Sequence, residues 1–209
     1  MTTLSGLFGW YPKNIEVQTY GKLPFYEDYI SIVTTKQGIK WRDWILNIFG
    51  QNGMDIPVGV WPFIFKDTYQ SNIIVGLIEP SSDALRSFPF SIFVEFKLLK
   101  PKYNWNFFSQ AIEKLRFINS DLNMVRNIND CYDILGGKTI KTGDLSSTNQ
   151  HHENEDITFI EPFLLDSKNM HPLFFVVLDY NQSVHLISDN STPPNDLIAK
   201  WKSLGGCKE

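Results

Sequence analysis

Cysteine is scarce: 209 residues hold only two, Cys131 and Cys207. They stand far apart and fit neither a metal-binding nor a redox spacing. A disulfide framework is thereby excluded, and two reduced thiols point to a cytoplasmic protein. Long apolar runs are missing too, and nothing approaches the roughly 18 residues needed to span a bilayer. The opening Met1–Leu7 segment has neither a basic stretch nor an apolar core, so no secretion signal is expected. There is no basic excess, since 19 basic against 23 acidic side chains leave a net charge of −4. That balance argues against a dedicated nucleic-acid binder, which carries a basic stripe. Arginine is the rarest charge, limited to Arg42, Arg86, Arg116 and Arg126. Each one therefore weighs more as a specific, planar hydrogen-bonding group.

What the chain has in quantity is aromatic side chains, with 16 Phe, 8 Tyr and 6 Trp in a sequence that is 43% hydrophobic. This is core-building material and excludes a disordered chain. After a turn over Gly21-Lys22-Leu23-Pro24, the spacing predicts a short strand over Tyr29–Val33. A helix follows over Gly38–Phe49, where Trp41, Trp44, Ile45 and Ile48 recur at helical intervals. Strands are expected at Val58–Phe65, Ile73–Ile78 and Pro89–Leu99, with Pro62 suited to an edge or a bulge. In the last of these, Phe90, Ile92, Val94 and Phe96 face one way and Ser91, Phe93, Glu95 and Lys97 the other. The Ser/Asp-rich connection 79–87 is expected to cap a short helical turn. One helix of six turns is predicted from Asn104 to about Asn127. Residues 136–156 read as a long polar loop. Beyond it come a strand at Ile157–Leu165, a hairpin of Pro172–Leu178 with Val184–Ser188, and a helix from Asn195 to about Leu204. Residues 1–19 read as loop plus a short strand. One domain over 1–209, of α/β class, is the natural assembly.

Catalytic and metal signatures are weak. Gly136-Gly137-Lys138-Thr139 lacks the earlier glycine of a phosphate loop, because position 132 is tyrosine, and it reads as a turn. No Gly-x-Ser-x-Gly elbow occurs. The His151-His152-Glu153 run with Glu155 and Asp156 reads as a solvated loop rather than a metal cage. His171 and His185 read as structural histidines. Glu27 and Asp28 form a local acidic pair that, as neighbours in a strand, would point to opposite faces. Trp41, Trp44 and Trp61 read as core. No cofactor and no metal are expected.

Four motifs carry a resemblance. Tyr20-Gly21-Lys22-Leu23-Pro24 is followed by Asp28-Tyr29-Ile30. Then come Trp41-Arg42-Asp43-Trp44-Ile45 and Ile56-Pro57 with Trp61-Pro62-Phe63. The most specific is Val75-Gly76-Leu77-Ile78-Glu79-Pro80-Ser81-Ser82-Asp83-Ala84-Leu85-Arg86-Ser87-Phe88-Pro89-Phe90. In order and spacing these resemble the type VI secretion-associated TagF (ImpM) family. The departures are Glu27 and Leu85, where the family has glycine, and no motif is matched beyond residue 100. The resemblance implies a three-layer α/β/α sandwich with a mixed central sheet. It also implies a cytoplasmic, non-enzymatic accessory protein that represses type VI secretion assembly after translation. A protein partner is expected, in some systems a forkhead-associated scaffold, with no nucleic acid and no membrane span. Carried over by position, the motif residues are Lys22, Pro24, Asp28, Trp44, Pro80, Ser81, Asp83, Arg86 and Pro89. Arg86 could hold Asp83 or Asp28 in a bidentate bond that fixes the connection, or the same loop could offer Ser81, Asp83 and Arg86 to a partner. The alternative from another class is a small-molecule or nucleotide-binding domain, or a cryptic hydrolase, using Asp28, Asp83 and Arg86.

Overall fold

The computed structural model describes residues 14–24, 28–50, 56–67, 72–83, 86–97, 105–122, 124–125, 127–145, 173–178, 184–188 and 194–204. Three strands in sequence form a meander, β3 (Trp61–Asp67), β4 (Asn72–Glu79) and β5 (Phe90–Lys97). β1 (Asn14–Lys22) pairs with the outer side of β5, and β2 (Tyr29–Ile32) pairs with β1. On the far side β7 (Leu173–Leu178) pairs with β3, and β8 (Val184–Ser188) with β7. The order is β2-β1-β5-β4-β3-β7-β8, and β6 (Thr139–Lys141) adds to β1, giving eight strands. The fold is thus of mixed α/β class. Every described pairing is antiparallel, where a mixed sheet was expected.

The period-2 pattern explains the two cores. Ile73, Val75 and Leu77 of β4 and Phe90, Ile92, Val94 and Phe96 of β5 join one buried cluster. It includes Phe108, Ala111, Ile112, Leu115, Ile118 and Leu122 from α2 (Trp105–Leu122) and Cys131 and Leu135 from α3 (Ile128–Leu135). The intervening Ile74, Ile78 and Phe93 join a second cluster. That one holds Trp41, Ile45, Ile48 and Phe49 from α1 (Lys36–Phe49) and Leu197, Ile198 and Trp201 from α4 (Pro194–Leu204). Each fully buried side chain of this kind stabilises the fold by about 1.5–3 kcal/mol relative to its exposed state. The outer face of α1 also carries Ile39 and Leu46, both exposed.

Local chemistry sets the helix ends. Thr35 caps α1 by accepting a hydrogen bond from the Gly38 amide at 3.1 Å, and Gly50 closes it with its N–H on the Leu46 carbonyl. The expected six-turn helix instead stops at Leu122. Met124 and Val125 donate back to Asp121 and Leu122 in a reverse turn, and Asn127 then caps α3 by accepting from the Asp130 amide. Asparagine competes for backbone groups in this way, and the apolar stripe carries no trace of it. Within the expected polar loop 136–156, β6 and a 3-10 turn over Thr142–Leu145 are ordered, burying Ile140 and Leu145. Residues 146–156, with His151 and His152, lie outside the described residues, as do the Ile157–Leu165 strand, His171 and Cys207. Gly136-Gly137 is a turn between α3 and β6, with Gly137 at φ 70°. Pro62 lies in an interior strand rather than at an edge. It pairs with Leu77 of β4 while β7 pairs only from Phe63 onward, so its missing N–H falls where β3 has one described neighbour.

Candidate functional site

Most of the residues that carry the family resemblance come together at one end of the sheet, where β1 ends and the 80–89 connection leaves β4. Gly21 and Lys22, expected in a turn, are the last two residues of β1, and the turn begins at Leu23-Pro24. Gly21 stands at φ 129°, and a Cβ there would lie 2.0 Å from the Pro89 carbonyl oxygen. Only glycine allows this backbone approach, which draws the start of β5 onto β1. Lys22 is fully buried, and its ammonium nitrogen lies 3.3 Å from Oδ2 of Asp83. A buried ammonium needs such an acceptor, because desolvation disfavours its charge.

The connection itself is a narrow finger, not a helical turn. Ser82 and Ser87 form an isolated antiparallel bridge, the Phe88 amide donates to the Ser81 carbonyl, and the Asp83 amide donates to the Arg86 carbonyl. Asp83 Oδ1 accepts the Arg86 backbone N–H at 2.7 Å. Asp83 thus braces the finger from within instead of capping a helix. The Ser81 hydroxyl is buried and donates to the Leu23 carbonyl at 3.0 Å, while the Leu23 amide donates to the Asp28 carbonyl. The finger is thus tied to the end of β1 twice, by the Lys22–Asp83 pair and the Ser81–Leu23 bond, while the Leu23–Asp28 bond closes the β1–β2 connection itself.

Aromatic contacts extend the junction. Phe88 is buried between Tyr20, edge-on at 5.9 Å, and Tyr29, tilted at 5.6 Å. The Arg86 guanidinium carbon sits 5.7 Å from the Tyr29 ring centre. The expected bond from Arg86 to a carboxylate is therefore corrected. Asp83 is ion-paired with Lys22, and Arg86 contributes its backbone to Asp83 and its side chain to Tyr29. Arg86, Tyr29 and Asp28 are exposed. Burial pushes the Tyr20 phenol upward, with Arg42 opposing it and Asp43 and Tyr29 adding to it.

Pro80 and Pro24 flank the junction half-buried, and Pro89 is buried within it. Trp44 is elsewhere: it stacks on Trp41 at 5.3 Å and tilts against Phe65 on the α1 side of the sheet. Trp41 and Trp61 are core, as the periodicity predicts. Glu27 lies outside the described residues.

Two groups escaped the sequence reading. Ser91 accepts the Trp41 indole N–H at 3.1 Å and donates to the Tyr20 carbonyl at 2.9 Å, tying α1 to β1 through β5. Its place opposite Phe90 and Ile92 in the alternation was the available signal. Glu79, the last residue of β4, accepts a hydrogen bond from Asn119 Nδ2 of α2 at 3.1 Å. Burial raises its carboxyl above the ordinary value, with the Asn119 bond opposing. Among the described residues there is no group of three or more His, Cys, Asp or Glu placed to hold a metal ion. Among them, too, no helix is long and apolar enough to cross a membrane.

Chemically, the buried half of this site is committed: the Ser81 proton lies on a carbonyl and the Lys22 ammonium faces a carboxylate. The exposed half offers the planar donors of Arg86 against an aromatic ring, with Asp28 on the neighbouring connection. That arrangement suits recognition of another surface. No protein-family model and no curated protein matches the chain. The crystal structure of PA0076 from Pseudomonas aeruginosa PAO1 is similar to 58% of this chain and covers 61% of its own length. The identity is 14% and the TM-score 0.41.

Proposed function

We propose that this chain is a TagF-like, non-enzymatic regulator that represses type VI secretion assembly by binding a protein partner in the cytoplasm. In that reading the helices on the two sheet faces make the three-layer α/β/α arrangement of the family. The observation that supports it best is the convergence of Lys22, Ser81, Asp83 and Pro89 into one braced finger with Arg86 left at its surface. A hydrolase or nucleotide site would instead need Asp28, Asp83 and Arg86 turned toward a common reacting atom. Asp83 is turned toward Lys22 and Arg86 toward Tyr29.

The test is affinity capture from the native host and from cells co-expressing the forkhead-associated scaffold, with wild type and Arg86→Ala. Wild type is expected to retain a secretion-system component, and the exposed-site variant to lose it at unchanged melting temperature. Recovery of no secretion component under mild conditions, or a melting point raised by nucleotide in a ligand screen, would overturn the proposal.

A further inference from the structure

The Glu79–Asn119 contact carries an inference independent of the partner-binding reading. Asn119 is buried, 6% exposed, and its Nδ2 donates to Glu79 Oε1 at 3.1 Å. Its other polar atom, Oδ1, is buried and accepts no hydrogen bond among the described residues. A buried acceptor left in this state is costly unless a donor reaches it. The group held against the same amide is a carboxyl, which supplies a donor only when protonated.

We propose that Glu79 and Asn119 form a proton-binding latch between β4 and α2. Protonated Glu79 closes a two-bond acid–amide ring, Nδ2–H on one carboxyl oxygen and the acid O–H on Oδ1. The carboxylate keeps the first bond alone and leaves Oδ1 unsatisfied. One proton is taken up on closing and released on opening, and nothing else changes hands.

The surroundings favour the neutral form. Burial raises the Glu79 carboxyl, and the Asn119 bond opposes it. Among the described residues, the charged side chains on the neighbouring elements are exposed, half-buried or paired with other groups. Lys22 on β1 faces Asp83 of the finger. On α2, Glu113, Lys114 and Arg116 are exposed and Asp121 is half-buried, with Arg116 paired to Glu113. On α3, Asp133 is exposed, and Asp130 accepts from Asn127. Glu95 of β5 lies at the other end of the β4–β5 ladder, held by Asn72. Glu79 directly precedes Pro80 and Ser81, so the latch sits at the root of the finger.

The sign of the pH effect follows. A carboxyl whose folded pKa exceeds its unfolded value binds more protons in the folded state between the two. Its contribution to stability is complete below the unfolded pKa and is lost as pH rises through the folded one. The test is a 13C NMR titration of the side-chain carboxyls in the full chain, with the Glu79 resonance assigned by its disappearance in Glu79→Gln. The Asn119 side-chain amide protons are followed in the same samples, and thermal unfolding of both proteins is measured across pH. The latch predicts a Glu79 midpoint above the ordinary 4.5, with the Asn119 protons shifting at that same midpoint. It also predicts that Glu79→Gln loses this part of the pH slope and gains melting temperature over wild type above the midpoint. A Glu79 midpoint at or below the ordinary value, Asn119 protons that ignore it, or an unchanged pH slope in Glu79→Gln would each overturn the latch.

Discussion

Replacing Asp83 with asparagine takes the counter-charge from a lysine that water does not reach. Lys22 has no exposed side-chain surface, Asp83 keeps 18%, and the charged atoms are 3.3 Å apart. At that separation and an effective dielectric near 20, the attraction is about 5 kcal/mol before desolvation is counted. Removing one partner from a buried pair costs about 3–5 kcal/mol, mostly as the penalty of the charge left behind. The partial exposure of Asp83 lets solvent reach one side, so a loss of about 3 kcal/mol is expected for Asp83→Asn. Asparagine keeps an oxygen for the Arg86 amide, whereas Asp83→Ala also removes that bond and should cost about 1 kcal/mol more. Lys22→Met fills the same space without charge and leaves a carboxylate that solvent can reach, so its loss should be smaller, about 1–2 kcal/mol. The double variant Lys22→Met/Asp83→Asn should then lose less than the two single losses together, by about 1.5–3 kcal/mol. Urea unfolding followed by tryptophan fluorescence measures all four proteins. Single losses that add to within about 0.5 kcal/mol would refute the coupling and with it the idea that this pair braces the finger.

Gly21→Ala puts a methyl group 2.0 Å from the Pro89 oxygen at a positive φ. The soluble yield should collapse, or the melting temperature fall by well over ten degrees, in a comparison of purified proteins; a fall of a degree or two would contradict the close approach. Thr35→Ala removes the side-chain acceptor for the Gly38 amide and should cost about 1 kcal/mol in urea unfolding. In a Cys207→Ser background, Cys131 is buried and its thiol is pushed up, first by burial and then by Asp130 and Asp28. A thiol-reactive dye should therefore label it only as the protein unfolds in urea, and rapid labelling of the folded protein would show the site to be open.

The α/β class, the two-faced pattern of β4 and β5, the β7–β8 hairpin and the C-terminal helix were legible because burial follows periods of 2 and 3.6. Boundaries failed where a single polar side chain decides. Asn127 breaks the long helix through a cap, and Asp83 turns an expected helical turn into a finger by accepting the Arg86 amide. Both are local hydrogen bonds that hydrophobic spacing does not encode. The length of β1 was hidden by Gly21, which reads as a turn residue until Pro89 is seen against it. Of the residues named through the resemblance, Lys22, Ser81, Asp83 and Pro89 come together and Trp44 does not, and the pairing among them was not legible. Arg86 was the expected partner of Asp83 because both lie in one connection, three positions apart. The cation that reaches the carboxylate comes from 61 positions away in sequence, on β1.

That distance bears on how the finger works. A bond between Arg86 and Asp83 would have been made within one loop, leaving the loop free to move as a unit and spending the guanidinium inside it. A bond from Lys22 anchors the finger to the sheet instead, and the Ser81–Leu23 hydrogen bond holds it a second time. The anchoring charge is buried, so salt screens it little, and the guanidinium remains at the surface over Tyr29. In the proposed reading, a recognition group held in this way would lose little further freedom on binding, which is the part of the association cost that rigid scaffolds reduce. The scarcity of arginine in this chain then has a structural counterpart: the structural cation is a lysine, and Arg86 is left exposed over Tyr29.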